Sequence, residues 1–238
     1  MKEKKGIKWP DLIRGTLIKR YKRFLADVRL DDKSVITAHC PNSGSMKACS
    51  EPGRPVYLSL HDNPRRKLKY TWELIEMPGS LVGVNTNIPN KLIKLSVENG
   101  YIKELSGYDR VRPEVRTSAH TRLDLVLEKE DRGKACYVEV KNCTLVEDGV
   151  AFFPDAVTTR GQKHLFELQR LIQDGHRAVM VYLIQRMDAR CFSPADHIDA
   201  VYGKALREVM QSGVEAYVYD VHISLDRIVL NKPVNIKF

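Results

Sequence analysis

The spacing of apolar residues and turns changes near Pro89, and this change constrains the fold more than any other feature of the sequence. Before it, short runs of β-branched and aromatic residues are interrupted by turn residues about every 8–15 positions, which is typical of an all-β module. After it, helical periodicity alternates with short apolar runs, which is typical of an α/β fold. The sequence therefore predicts a mixed α/β protein with two domains, residues 1–88 and 89–238.

The first domain is predicted to be a small barrel. A turn at Asp31–Lys33 and a loop at Cys40–Ser45 separate runs that are rich in β-forming residues. Strands are predicted at residues 15–28, 35–39, 56–60, 70–76 and 81–85. Five short strands match an OB-like β-barrel in size, and an SH3-like barrel fits almost as well.

The second domain is predicted to contain a sheet covered by helices. Ala178–Ile184 is a continuous apolar run, which indicates a strand buried on both faces. Asn90 is a candidate N-cap of the first helix, which Asn99 and Gly100 would end. Helices are predicted at residues 90–98, 161–174 and 199–212, and strands at 114–118, 122–127, 135–141, 178–184 and 214–219.

Positive charge is concentrated in the first third of the chain. Residues 1–90 hold 17 Lys and Arg against 9 Asp and Glu, whereas residues 91–238 hold 22 against 21. This asymmetry favours a first domain that meets a polyanion such as DNA, joined to a domain that does not depend on bulk charge.

Several classes of protein are disfavoured. The longest apolar stretch has seven residues, far fewer than the ~20 needed to cross a bilayer, and no secretory signal precedes the first domain. The five cysteines form no CxxC pair, so a reducing cytoplasm is expected rather than a disulfide framework or a zinc site. The nucleotide-binding patterns GxGxxG and GxxxxGK[ST] are absent, as are the GxSxG and HExxH patterns of hydrolases.

Two predicted neighbouring strands carry a candidate metal site. Glu139 and Lys141 are two residues apart on one strand and project to the same face, while Asp124 lies on the preceding strand. In one pairing register the two acids become neighbours with the amine beside them. Such a set suits Mg²⁺ or Mn²⁺, with the Val140 carbonyl as a further oxygen ligand. The alternative is that these residues form ordinary ion pairs on the face of a strand, Asp124 with Arg122 and Glu139 with Lys141.

A second candidate cluster opens the helix at 161–174. Its first turn brings together Arg160, Gln162, Lys163 and His164, where free N–H groups favour an anion. Cations at this end of a helix are locally unfavourable, which points to a phosphate ligand. The alternative is a solvated, exposed turn, and for Asp155 in the preceding loop a loop or capping role is expected.

Basic residues alternate with aromatic residues in the first domain, as in a groove that binds a nucleic-acid backbone. The alternative is a solvated barrel rim with the aromatic side chains facing the core. The candidate DNA-binding residues of this domain are Arg20, Lys22, Arg23, Arg65, Arg66 and Lys67.

Several motifs resemble those of the sugar fermentation stimulation protein (SfsA) family, over residues 12–220. This resemblance implies a cytoplasmic bacterial or archaeal protein that binds DNA. It also implies an OB-like barrel followed by an α/β domain similar to PD-(D/E)xK nucleases, with a central mixed sheet. The motifs are Tyr21–Val28, His39–Met46, Glu104–Tyr108, Tyr137–Lys141 and Phe153–Gly161.

The resemblance also implies roles at individual positions. Asp124 and Glu139 match the metal ligands of the nuclease pattern, and Lys141 matches its catalytic lysine. Gln162 matches a residue that often follows on the next helix. Glu114 is preferred as the acid of the first motif over Glu98 and Glu104. Arg122, Arg160, Lys163 and His164 are then expected to contact DNA.

Two functions from different classes follow from these observations. The first is a DNA-binding protein that hydrolyses phosphodiester bonds with Mg²⁺ or Mn²⁺. The second is a sequence-nonspecific DNA-binding regulator of sugar or maltose metabolism that keeps the nuclease fold without turnover. A third, weaker hypothesis is a protein-binding barrel. The sequence does not fix the oligomeric state, and a homodimer stays among the options.

Overall fold

The computed structural model describes residues 4–119, 121–130 and 133–238. The strands are β1 (Ile7–Lys8), β2 (Leu12–Tyr21), β3 (Leu25–Leu30), β4 (Val35–His39), β5 (Pro55–Leu60), β6 (Tyr70–Met77), β7 (Ser80–Gly83), β8 (Arg110–Arg116), β9 (Arg122–Glu128), β10 (Cys136–Cys143), β11 (Leu145–Glu147), β12 (Val150–Phe153), β13 (Arg177–Ile184), β14 (Cys191–Pro194), β15 (Glu215–Ile223) and β16 (Arg227–Pro233). The helices are α1 (Ile88–Glu98), α2 (Thr159–Gln173) and α3 (Asp196–Gln211).

Strands β2 to β6 close into a five-stranded barrel. Their order is β4-β3-β2-β5-β6, and β4 pairs with β6 in parallel to complete the circle. Strand β7 adds to the outside of β6. The interior is filled by side chains that include Leu17, Leu58 and Trp72, each at most 1 % exposed. The prediction of an OB-like barrel is confirmed.

The strand predicted over residues 15–28 is wrong, because the chain reverses within it. Lys22 and Arg23 both have positive φ angles, 47° and 63°, and form a tight turn between β2 and β3. Such turns favour Asn and Gly, which reach these angles at little cost. Two basic residues stand here instead, so the usual turn signal is missing.

A seven-stranded mixed sheet forms the second domain. Its order is β1-β16-β15-β13-β10-β9-β8, with β10, β13 and β15 parallel and the outer strands antiparallel. Helix α1 packs on one face, and α2 and α3 pack on the other. This buries Ala178–Ile184 on both sides, as its apolar run predicts. Residues 7–8, assigned from the sequence to the barrel domain, pair with β16 of this sheet instead.

Three differences from the predicted elements concern short or edge segments. Helix α1 begins at Ile88 with Asn87 as its N-cap, because Pro89 fits the first helical turn. A small sheet of β11, β12 and β14 has only three or four residues per strand, too few for a periodic signal. Strand β16 at 227–233 has no predicted counterpart. Among the helices described, none has both the length and the apolar character to cross a membrane.

Two loops of the second domain fix its position against the barrel. The Asp155 carboxylate accepts hydrogen bonds from Ser45 Oγ at 3.1 Å and from the Met46 N–H at 3.2 Å. An added Cβ at Gly44 would lie 2.7 Å from Asp155 Oδ2, so this close approach requires glycine. On the other side, Gly83 donates its N–H to the Gln185 carbonyl at 2.8 Å. Asp155 therefore has a loop role, as expected.

Candidate active site

Strands β9 and β10 bring two acidic side chains to neighbouring positions. Their antiparallel pairing ends where Val138 lies opposite Leu125. The next residues in this register are Glu139 and Asp124. At this point the Val140 N–H donates to Asp124 Oδ2 at 2.8 Å, so a carboxylate takes the place of a main-chain acceptor.

Asp124 is the less buried of the two acids, and its environment disfavours the charged form. Burial is the largest cause, followed by the negative charge of Glu139, and together they raise the pKa of Asp124 to about 6. Hydrogen bonds from the Val140 N–H and from Asn90 Nδ2, which lies 2.6 Å from Oδ1, oppose this increase. The Lys141 ammonium also acts against this increase, but it does not outweigh burial and the charge of Glu139.

Glu139 is almost completely buried, with 3 % of its surface exposed. Burial acts to raise its pKa, but the Lys141 ammonium and the His164 ring outweigh this and lower the pKa of Glu139. Both partners contact the same oxygen, Oε1. Within the described residues, Oε2 is buried and has no hydrogen-bond partner. A buried carboxylate oxygen without a donor is costly, so Oε2 is positioned to accept a ligand.

Lys141 and His164 enclose Glu139 from β10 and α2. Lys141 Nζ lies 2.6 Å from Glu139 Oε1 and 3.4 Å from His164 Nδ1. Arg160, one turn earlier on α2, donates its Nε–H to His164 Nε2 at 3.3 Å. Because Nε2 accepts from Arg160, the neutral ring carries its proton on Nδ1 and donates it to Glu139 Oε1. The cluster links two buried side chains to an exposed arginine.

Not every predicted site residue is brought to this cluster. The Glu114 carboxylate lies 2.9 Å from Arg122 in an exposed ion pair and makes no hydrogen bond to either acid. The Gln162 side chain makes no hydrogen bond among the residues that the structure describes. The Val140 side chain packs in the core on the face of the sheet that α1 covers, and its N–H donates to Asp124. No group of three or more His, Cys, Asp or Glu in the described ranges could hold a metal ion, so the candidate site rests on two acids.

The predicted DNA-binding residues divide into an exposed and an anchored set. Arg20 donates to the main-chain carbonyls of Asn42, Gly44 and Ser45, so it fixes a loop. His164 is buried at 6 % exposure against Glu139. Arg66 is half-buried and donates to Thr71 Oγ1 at 2.8 Å. The exposed members of the set are Lys22, Arg23, Arg65, Lys67, Arg122, Arg160 and Lys163.

Two contributions to the site were missed from the sequence. Asn90 was assigned to the helix cap, but its amide reaches Asp124 from α1. The sequence predicts that His164 contacts DNA, but the residue lies on the buried side of α2. The helical spacing of His164 with the core residues Leu168 and Leu171 is the signal that would have indicated burial.

Two family models match this chain. The SfsA N-terminal OB domain matches residues 18–84, and the sugar fermentation stimulation protein RE domain matches residues 87–227. A sugar fermentation stimulation protein homolog from Geobacter sulfurreducens is 55 % identical over 93 % of this chain and 94 % of its own length. A homolog from Maricaulis maris is 48 % identical over 97 % of this chain and 99 % of its own.

A solved structure supports the same assignment. The protein described as Pyrococcus furiosus SfsA in complex with Ca²⁺ superposes with a TM-score of 0.90 and 26 % identity. The match covers 99 % of this chain and 100 % of that one. The family models, the relatives and the superposition agree with the barrel and the mixed sheet described above, and the chain belongs to the sugar fermentation stimulation protein (SfsA) family.

Proposed function

We propose that this chain is a cytoplasmic DNA-binding protein that hydrolyses phosphodiester bonds with a divalent cation, Mg²⁺ or Mn²⁺, at the site of Asp124, Glu139 and Lys141. The observation that carries this proposal is the buried oxygen Oε2 of Glu139, which has no hydrogen-bond partner among the described residues, on a residue whose neighbour in the continued strand register is Asp124. Since two neighbouring acids without enough donors destabilise a folded protein, a function that uses them is the natural explanation.

The residues present fit a hard divalent cation. Carboxylate oxygens are the ligands that Mg²⁺ and Mn²⁺ prefer, and Mg²⁺ keeps several waters, so two acids are sufficient protein ligands. Asp124 and Glu139 would hold the ion, with the Val140 carbonyl as the predicted further ligand. The solved Pyrococcus furiosus relative is described as a Ca²⁺ complex, which supports a divalent cation here. When bound, the cation supplies positive charge for the developing phosphate oxyanion and activates water.

Two side chains of this protein would act on the phosphodiester, and a third would position Glu139. Lys141, whose ammonium already lies 2.6 Å from Glu139, would stabilise negative charge on the phosphate. His164 holds Glu139 through Oε1, which is a positioning role. Arg160 is exposed at the start of α2, where its guanidinium can contact the DNA phosphate without losing the contact of Nε with His164.

Two observations support the proposal of DNA binding: the exposed basic residues and the OB-like barrel. The exposed basic residues of the barrel, together with Arg122, Arg160 and Lys163 of the second domain, are suited to phosphate contacts. The match to an OB domain supports this, because OB folds commonly bind oligonucleotides. Each such contact releases counterions, so affinity should fall steeply with salt.

A second candidate function is DNA binding without turnover. It is favoured by the position of Glu114, which pairs with Arg122 and leaves the site with two acids. The names of the relatives refer to stimulation of sugar fermentation, which would suit a regulatory factor. Such a protein would use the same basic surface.

Cleavage assays with single variants separate the two functions. Labelled linear DNA would be incubated with the protein in Mn²⁺, in Mg²⁺ and in chelator. We expect metal-dependent cleavage by the wild-type protein, abolished by Lys141→Ala with DNA affinity kept within about threefold. Lys204→Ala, which removes a lysine with a 78 % exposed side chain on α3, is the matched control and should cleave normally. Binding without cleavage under any metal would leave the regulatory function.

A further inference from the structure

A cleft between the two domains lies beside the candidate active site. It has a volume of about 440 Å³, and its lining includes Arg23 of the barrel and Arg160 of α2 on its two sides. Arg160 also contacts His164, which holds Glu139. Asn142, the residue after Lys141 on β10, also lines the cleft. Arg160 therefore connects the lining of the cleft to the candidate active site through His164.

The two walls are held in place before any ligand binds. Asp155 bonds to Ser45 and Met46 across the domains, at 3.1 and 3.2 Å. Arg20 Nε donates to the Arg23 carbonyl at 3.1 Å, and its other nitrogens hold the loop next to it. This fixes the turn that carries Arg23, although its left-handed backbone is unfavourable for a residue with a side chain. A preformed cleft avoids the entropy cost of ordering on binding.

The cleft is lined by cationic, polar and apolar groups, together with Asp155, whose carboxylate already accepts hydrogen bonds from Ser45 and Met46. Arg23 and Arg160 are exposed cations suited to phosphate. Asn142 Oδ1 accepts from Gln185 Nε2 at 2.8 Å, and among the described residues its Nδ2 has no partner, so a donor is available. Val157, with 70 % of its surface exposed, offers an apolar contact for a base. A base and its phosphate would find partners here.

The size of the cleft decides between single-stranded and duplex DNA. Its volume lies within the ~300–1,000 Å³ range of pockets that enclose a small ligand. The bases of a double helix are stacked and paired inside it and do not enter a space of this size, whereas an unpaired base can. We infer that the cleft between Arg23 and Arg160 binds an unpaired nucleotide, so that the preferred substrate is DNA with a single-stranded segment. This rests on the proposed function of the neighbouring site.

Binding to three labelled DNAs tests the inference. Fluorescence anisotropy in chelator would compare a single strand, the blunt duplex of the same sequence, and that duplex with an unpaired overhang. We expect the single strand and the overhang to bind at least fivefold more tightly than the blunt duplex. Arg23→Ala and Val157→Asp, both at exposed positions, should remove most of this difference, because they lower the affinity for the single strand and the overhang more than the affinity for the blunt duplex.

Arg29→Ala is the matched control, since it removes an exposed arginine from the same domain at a position that does not line the cleft. Arg29→Ala should lower the affinity for all three DNAs by the same factor. Equal affinity of the wild-type protein for the three DNAs would overturn the inference and leave DNA binding in place. Equal losses for all three DNAs in Arg23→Ala would also overturn it. Failure to bind any DNA would overturn the proposed function as well.

Discussion

The barrel and the mixed sheet each bury one glutamate in a strand, and the two carboxylates differ in their hydrogen bonds. Glu73 in β6 is 4 % exposed, and Glu139 in β10 is 3 % exposed. Ser59 Oγ donates to Glu73 Oε1 and Asn85 Nδ2 donates to Oε2, both at 2.7 Å. At Glu139, two cationic or donor groups crowd onto Oε1 while Oε2 has none in the described part of the molecule.

This difference distinguishes a structural carboxylate from a ligand-ready one. A buried carboxylate whose two oxygens each receive a donor is balanced by its own fold. Glu139 is balanced in charge by Lys141 but not in hydrogen bonding, and a second acid, Asp124, lies in the adjacent register position. Equal burial therefore does not imply equal roles, and the open oxygen is the more informative feature.

The largest expected effect is on catalysis. Glu139→Gln should reduce DNA cleavage by ~10³-fold or more, because it removes a charged ligand of the proposed cation. Glu73→Gln should leave cleavage within about twofold, since the Ser59 hydroxyl can accept as well as donate. Initial rates in Mn²⁺, with folding checked by circular dichroism, measure both. Similar losses in the two variants would contradict the distinction drawn between these glutamates.

The next effect is the pH dependence of stability at Asp124. Its pKa of about 6 lies above the ordinary value of 3.8, so the folded protein binds this proton more tightly than the unfolded chain. The stabilisation is complete below pH ~4 and is lost as the pH rises through 6. In metal-free buffer, Asp124→Asn should therefore gain stability relative to the wild-type protein between pH 4 and 8, by at most on the order of 3 kcal/mol. Urea denaturation at several pH values measures the free energy of unfolding of both proteins. A difference between them that does not change with pH would contradict the raised pKa of Asp124.

Cation binding should stabilise the folded protein by a smaller amount. A ligand at 100 times its Kd adds ~2.7 kcal/mol to the free energy of unfolding. For a chain of this size this corresponds to an increase in Tm of roughly 5–10 °C. Glu139→Gln should abolish the Mn²⁺-dependent increase, and Glu73→Gln should retain it. Differential scanning fluorimetry over a Mn²⁺ titration provides the measurement, and an unchanged response in Glu139→Gln would exclude Glu139 as a ligand.

The sequence predicts the larger elements and the acidic pair because these depend on local patterns. Strand alternation places Glu139 and Lys141, two residues apart, on one face of the sheet. The observed hydrogen bond between them agrees with this spacing. The tertiary partners could not be predicted in the same way. Asn90 reaches Asp124 from a position 34 residues earlier in the chain, and Asp155 reaches Ser45 across 110 residues. Such contacts depend on how helices and domains pack, which no local spacing encodes.

The turn between β2 and β3 was not predicted from the sequence, for a different reason. Its two residues with positive φ are Lys22 and Arg23, which have low intrinsic preference for that conformation. The surrounding structure imposes it, since Arg20 Nε binds the Arg23 carbonyl. Local propensity is overruled here, and the site of that conflict is also the wall of the cleft proposed to bind DNA.

The smallest expected effect concerns the barrel glutamate and completes the comparison. Asn85→Ala removes the donor to Glu73 Oε2 and leaves one buried oxygen unpaired, as at Glu139. It should lower the free energy of unfolding by ~1–3 kcal/mol, whereas Asn63→Ala on an exposed loop should have little effect. Within a Glu139→Gln background, Asn85→Ala should still show no Mn²⁺-dependent increase in Tm. An unpaired carboxylate oxygen does not bind a hard cation when no second acid lies next to it in the sheet. If this double variant still showed a Mn²⁺-dependent increase in Tm, the pairing of Glu139 with Asp124 would be unnecessary for cation binding.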